Sequence, residues 1–166
     1  MNNLDFARRA FATEFNAALR PGKGWSVRTI NTPRQVGKTI SVQSAIRQSD
    51  NCRPSLVFVP NYQMARFYKH QGLEAVVVAP RNLAQFAKTL VPAISAQLSP
   101  SNPIELVIFD EHQPELMPPQ EILNILFMEW GDMFADNGVV IQVGTPRHME
   151  AIGPFQQQLG CTLCGI

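Results

Sequence analysis

Two short stretches of this sequence carry residue types that handle phosphate and metal. Thr32-Pro33-Arg34-Gln35-Val36-Gly37-Lys38-Thr39 ends in Gly-Lys-Thr, the closing part of a Walker A phosphate loop. In such a loop, backbone N–H groups wrap phosphate oxygens at the start of a helix. Gly37 would let the backbone approach closely, Lys38 would place positive charge on the outer phosphates, and the Thr39 hydroxyl would ligate Mg²⁺. Thr32 stands where the pattern has its first glycine. The plain alternative is a chance Gly-Lys-Thr at a strand–helix junction.

The second stretch is acidic. The apolar run Ile104-Glu105-Leu106-Val107-Ile108-Phe109 delivers Asp110-Glu111 at its end, which is the Walker B arrangement. Asp110 would hold Mg²⁺ through its water shell, and Glu111 would orient and polarise an attacking water. A kinase built on the same loop has no need of a water-activating carboxylate, so the second acid favours hydrolysis over transfer. A solvated acidic turn is the competing reading. A third stretch, Val139 to Val143, runs into Gly144-Thr145-Pro146. Thr145 at that strand end could sense the γ-phosphate, and an ordinary Gly-Thr-Pro turn would look the same.

These residues need a frame. Apolar spacing predicts an amphipathic helix from Leu4 to Leu19, with Phe6, Ala7, Ala10, Phe11, Phe15, Ala18 and Leu19 on its apolar positions. Pro21-Gly22-Lys23-Gly24 then breaks the chain. Strands are expected at Trp25–Ile30, Ser55–Val59, Ala75–Ala79, Ile104–Phe109 and Val139–Val143. Between them, helices are expected at Lys38–Gln48, Asn61–His70, Asn82–Leu98 and Pro119–Phe134, with Asn61 as an N-cap and a break or bend at Pro92. Continuous apolar strands alternating with helices imply a mostly parallel sheet of about five strands, covered by helices on both faces. Ligands of such sheets sit outside the carboxyl ends of the strands, where each stretch above falls.

Composition sets the outer limits. The chain has 166 residues, enough for one packed core, and 16% charged residues, too few for a disordered polyelectrolyte. The expected organisation is a single domain over residues 1–166, with residues 1–22 as helix and linker and 149–166 as a tail. A net charge of +1 gives no global field toward nucleic acid, so any basic surface must be local. No apolar run reaches the roughly 18 residues that span a bilayer. Cys52, Cys161 and Cys164 form no even framework, and the start lacks a signal-peptide pattern. These features predict a cytoplasmic protein, in the host cytoplasm if phage-encoded, with no membrane partner.

Taken in order, Arg34-Gln35-Val36-Gly37-Lys38-Thr39, Val107-Ile108-Phe109-Asp110-Glu111 and Gly144-Thr145-Pro146 resemble the ATPase motor of the large terminase subunit of tailed phages. More loosely, they resemble the first motor domain of superfamily 2 helicases. The resemblance covers roughly Trp25 to His148. It implies a RecA-like P-loop fold, ATP and Mg²⁺ as cofactors, and double-stranded DNA or another nucleic acid as partner. It also implies phage packaging or replication proteins as partners, and a homo-oligomer or partner subunit completing the site. In that family the phosphate loop often lacks its first glycine and carries an Arg-Gln pair, so Thr32 agrees with it. Its loop arginine contacts nucleotide phosphates, which carries over to Arg34 as a stabiliser of the transferring phosphate. The family's nuclease domain has no counterpart after His148, so nuclease activity is not expected.

The expected machinery is therefore Glu111, Lys38 and Arg34 for chemistry, Thr32 to Thr39 with Thr145 for nucleotide, and Thr39 with Asp110 for metal. A degenerate nucleotide-binding module that docks to a protein, and a small P-loop kinase, are the alternatives. Tyr62, Arg66, Phe67, Tyr68, Lys69, His70, Arg81 and Lys88 are read either as a nucleic-acid-facing patch or as a solvated face over buried aromatics. Cys161 and Cys164 have ligand spacing but no second pair to complete a zinc site.

Overall fold

The computed structural model describes residues 3–20, 22–31, 55–70, 72–78, 88, 94–95, 101–144 and 151–153. The candidate site residues Thr32 to Thr39 and Thr145, together with Arg81, Cys161 and Cys164, lie outside the described residues. So do the expected helix at 38–48, most of that at 82–98, and the tail beyond residue 153.

Helix α1, Asn3–Ala18, precedes strand β1, Trp25–Asn31. Strand β2, Ser55–Val59, leads through Pro60 and Asn61 into helix α2, Tyr62–His70, and then strand β3, Ala75–Val77. Strand β4, Ile104–Asp110, is followed by helix α3, Pro119–Trp130, a short 3₁₀ turn, Gly131–Met133, and strand β5, Phe134–Gly144. The five strands form one sheet in the order β1-β5-β4-β2-β3, and every pairing is parallel. This is the expected α/β arrangement. The Asn61 side chain caps α2 by accepting the Met64 N–H at 2.9 Å, and Pro119 occupies the first turn of α3.

Helices lie on both faces. Phe11 and Phe15 of α1 and Tyr68 of α2 pack with Val57, Leu106, Ile108 and Ile141. Ile122, Leu123 and Leu126 of α3 pack with Leu56, Phe58, Val107, Phe109 and Val140 on the other face. Alternate residues of β2, β4 and β5 thus serve opposite layers, which is why Leu56–Val59, Leu106–Phe109 and Val139–Ile141 read as unbroken apolar runs. The crossover from β2 to β3 moves outward across the sheet and that from β4 to β5 moves back. Crossovers of one hand must then place α2 and α3 on opposite faces, as found.

Three expectations need correction. The final helix ends at Trp130, and β5 begins at Phe134 rather than Val139. Phe134 is buried beside Phe127 with ring centroids 4.4 Å apart, so packing draws the chain into the sheet early. The regular pairing of β3 stops at Val77, although Val78 N–H still donates to Val59 O at 2.9 Å. Phe6 is 68% exposed and takes no part in the core face of α1.

At the amino end of the sheet an aromatic cluster closes the core. Trp25 meets Phe127 and Phe134 edge-on at 5.3 and 5.8 Å. Its indole N–H donates to Ala135 O at 2.7 Å. Gly138 lies opposite Trp25 in register, and a Cβ there would fall within 2.7 Å of the indole Cε2. Glycine is needed because the ring occupies that space.

Candidate functional site at the carboxyl edge of the sheet

The register brings three strand ends level. Asn31 of β1 pairs with Gly144 of β5, and Asp110 of β4 pairs with Val143 of β5. The Glu111 N–H extends that ladder by donating to Val143 O at 2.9 Å. Because all three strands run the same way, the segments that follow Asn31, Asp110 and Gly144 leave the sheet from one edge. β5 lies between the other two, so the ends of β1 and β4 stand about 10 Å apart, two strand spacings. The chain therefore brings Asn31, which precedes the Gly-Lys-Thr stretch, the acidic pair, and Gly144, which precedes Thr145, side by side. Lys38, Thr39, Arg34 and Thr145 themselves lie outside the described residues.

The acidic pair divides into two environments. Asp110 is completely buried, whereas Glu111 is half-buried. A buried carboxylate is tolerated only with donors close by. One donor is the Tyr68 hydroxyl, which gives its proton to Asp110 Oδ2 at 2.6 Å. Burial first, then the charge of Asp110 and the hydrogen bond to it, push the Tyr68 phenol well above its ordinary range. Tyr68 therefore keeps its proton for donation to Asp110 at neutral pH.

Glu111 has φ 56°, the one positive φ of a non-glycine among the described residues. That left-handed conformation costs an L-residue about 1–2 kcal/mol. Its effect is to turn the chain sharply at the strand end, so that the carboxylates of residues 110 and 111 face different surroundings. His112 then tucks back into the protein, buried and edge-on to Phe109 with ring centroids 6.0 Å apart. Gln113 reaches back to Glu111 O at 3.4 Å.

Asp110, His112 and Gln142 are the buried polar or charged residues among those described. All three lie within two residues of the carboxyl edge, while the other buried side chains of β4 and β5 are apolar. Comparison with protein-family models, curated proteins and solved structures finds no match to this chain.

No group of three or more His, Cys, Asp or Glu side chains gathers among the described residues. A magnesium site on a phosphate loop uses one or two carboxylates together with water and substrate phosphates. Asp110, the buried carboxylate at the end of β4, could supply one such oxygen.

Of the two readings of α2, the buried-aromatic one holds for Tyr68, which is fully buried, whereas Tyr62 and Phe67 are 71% and 57% exposed. Helical spacing held the signal. Met64, Ala65 and Tyr68 are related as i, i+1 and i+4, and share the inward stripe of α2. Arg66, Lys69 and His70 are exposed, as is Lys88.

Proposed function

We propose that this chain is a Mg²⁺-dependent ATPase, a RecA-like P-loop motor domain that acts on nucleic acid, as the terminase-like motif set implies. The observation that carries the reading is the level alignment of Asn31, Asp110 and Gly144 on adjacent parallel strands. It sets the stem of a Gly-Lys-Thr loop and an Asp-Glu pair on one edge, with a third polar segment between them. In an all-parallel sheet any segment after a strand reaches this edge, so the weight of the observation is that these three strand ends are adjacent and level.

In this mechanism Lys38 and the backbone of residues 32–37 hold the phosphates, and Arg34 offsets charge on the transferring group. Asp110 and Thr39 would hold Mg²⁺, which supplies charge neutralisation for the β- and γ-oxygens. Glu111 orients a water and accepts its proton. Its half-exposed position suits a group that must meet solvent, and the sharp turn at φ 56° separates its task from that of Asp110. Thr145 lies one residue beyond a strand shared by both other stems, the place to register loss of the γ-phosphate.

The nucleic-acid part of the proposal rests on α2. Its outward surface carries Tyr62, Arg66, Phe67, Lys69 and His70, and the helix contains no acidic residue. Cations interleaved with aromatic rings suit a phosphate backbone and its bases.

The test is ATP turnover with Mg²⁺, with and without double-stranded DNA, beside Glu111→Gln. Turnover should rise with DNA and fall about 10²–10⁴-fold in the variant. Nucleotide binding without turnover in the parent would favour a docking module or a missing partner subunit. Absence of nucleotide binding would end the ATPase reading.

A further inference from the structure

We propose that Tyr68 is a positioning residue for the metal-binding carboxylate, acting through its hydrogen bond to Asp110 rather than by touching nucleotide or metal. The inference rests on the ATPase reading, because Asp110 matters as a metal ligand only if the site binds Mg-nucleotide.

The geometry has a simple origin. β2 is hydrogen-bonded directly to β4, and α2 begins three residues after β2 ends. The helix therefore runs back over the sheet from the carboxyl edge. Tyr68 is six residues into it, about 9 Å along the axis. Helical side chains lean toward their own N-terminus, so a long side chain from that depth reaches back toward the carboxyl edge. Asp110 stands at that edge, and the phenol oxygen arrives 2.6 Å from Oδ2. A shorter side chain would not span the distance, and phenylalanine would fill the ring space without supplying a proton.

Both partners are fully buried, so solvent does not substitute for the phenol. The bond selects one Asp110 rotamer and fixes the plane of its carboxylate. Partners of this kind, one step removed from the metal, are worth about 10–100-fold in metal affinity. A carboxylate that works through the metal's water shell belongs at the lower end. The same tie connects the inner stripe of α2 to the site, although no residue of α2 belongs to any of the three motifs.

The experiment uses the full chain carrying Glu111→Gln, so that ATP is bound without turnover, and compares it with Glu111→Gln plus Tyr68→Phe. Mn²⁺ serves as the metal probe, its binding to the protein–ATP complex read by electron paramagnetic resonance. ATP affinity without metal is measured on the same samples, below the unfolding midpoint of both proteins. Tyr68→Phe is expected to weaken Mn²⁺ binding about tenfold and to leave metal-free ATP affinity unchanged. Equal Mn²⁺ affinity in the two proteins would overturn the positioning role and leave the ATPase reading intact. A parallel loss of Mn²⁺ and metal-free ATP binding would also overturn it, since the tyrosine would then be holding up the site as a whole. If the Glu111→Gln parent binds neither probe, the phosphate-site reading fails and the role of Tyr68 fails with it.

Discussion

The two ends of this sheet are built on opposite principles. At the amino end, Trp25, Phe127 and Phe134 interlock, Gly138 yields its side-chain space to the indole, and the indole N–H has its acceptor. At the carboxyl end the protein buries a carboxylate, a histidine and a glutamine, and bends Glu111 into a conformation that glutamate disfavours. The first end maximises contact. The second accepts local costs that a purely structural sheet end would avoid. The contrast agrees with the proposal that the carboxyl edge is the working end.

The contrast can be broken at the amino end with the largest effect. Gly138→Ala should lower stability by about 1–3 kcal/mol, because the new methyl meets a ring already held by two aromatic neighbours and a hydrogen bond. Urea unfolding of the variant would measure it, and an unchanged midpoint would mean that the ring has room to move.

A smaller effect of opposite sign is expected at the other end. Glu111→Gly relieves a left-handed residue, worth about 1–2 kcal/mol, and adds chain entropy worth about 0.5–1 kcal/mol. The net gain should be roughly 1 kcal/mol, accompanied by loss of ATP turnover. A variant that is both more stable and inactive would sharpen the division between the two ends. A less stable one would show that the Glu111 side chain repays its own strain.

The smallest effect concerns pH. The folded-state pKa of Tyr68 is raised, while an unfolded tyrosine titrates near 10. Below that value both states keep the proton and the contribution to stability is complete. As pH rises past it, the unfolded chain releases a proton that the folded chain retains, so stability falls. Tyr68→Phe should therefore lose less stability than the parent between about pH 8 and pH 10.5. Paired urea midpoints would show this. The other tyrosine, Tyr62, is exposed and common to both proteins, so it does not confuse the comparison.

Much of the frame was legible in the sequence, for identifiable reasons. Residues 56–59 and 106–109 are buried on both faces, and two-sided burial leaves an unbroken apolar run. Asn61 and Pro119 announced helix starts through local chemistry. The extension of β5 back to Phe134 was hidden because Asp136, Asn137 and Gly138 read as a turn. Their role depends on Trp25, more than a hundred residues away, with Asn137 Oδ1 accepting the Gly24 N–H at 2.6 Å. Strand order was equally hidden, since hydropathy carries no information about which apolar run pairs with which. The acidic pair was visible as a motif, but the turn at Glu111 and the tie from Tyr68 depend on neighbours that assemble only in three dimensions.

One feature of the strand order bears on the timing of synthesis. Among the described strands, β1 pairs only with β5, and the two are joined by contacts such as that from Gly24 to Asn137, separated by 113 residues. A nascent chain emerging at about 5–20 residues per second would hold β1 without its partner for roughly 6–20 s. During that interval β2, α2, β3 and β4 can pair among themselves, so the Tyr68–Asp110 contact can form well before the phosphate-loop stem joins the sheet. The Asp110 end of β4 can thus be built before Asn31 joins the sheet, and β5, which links the two, is the last of the described strands to leave the ribosome.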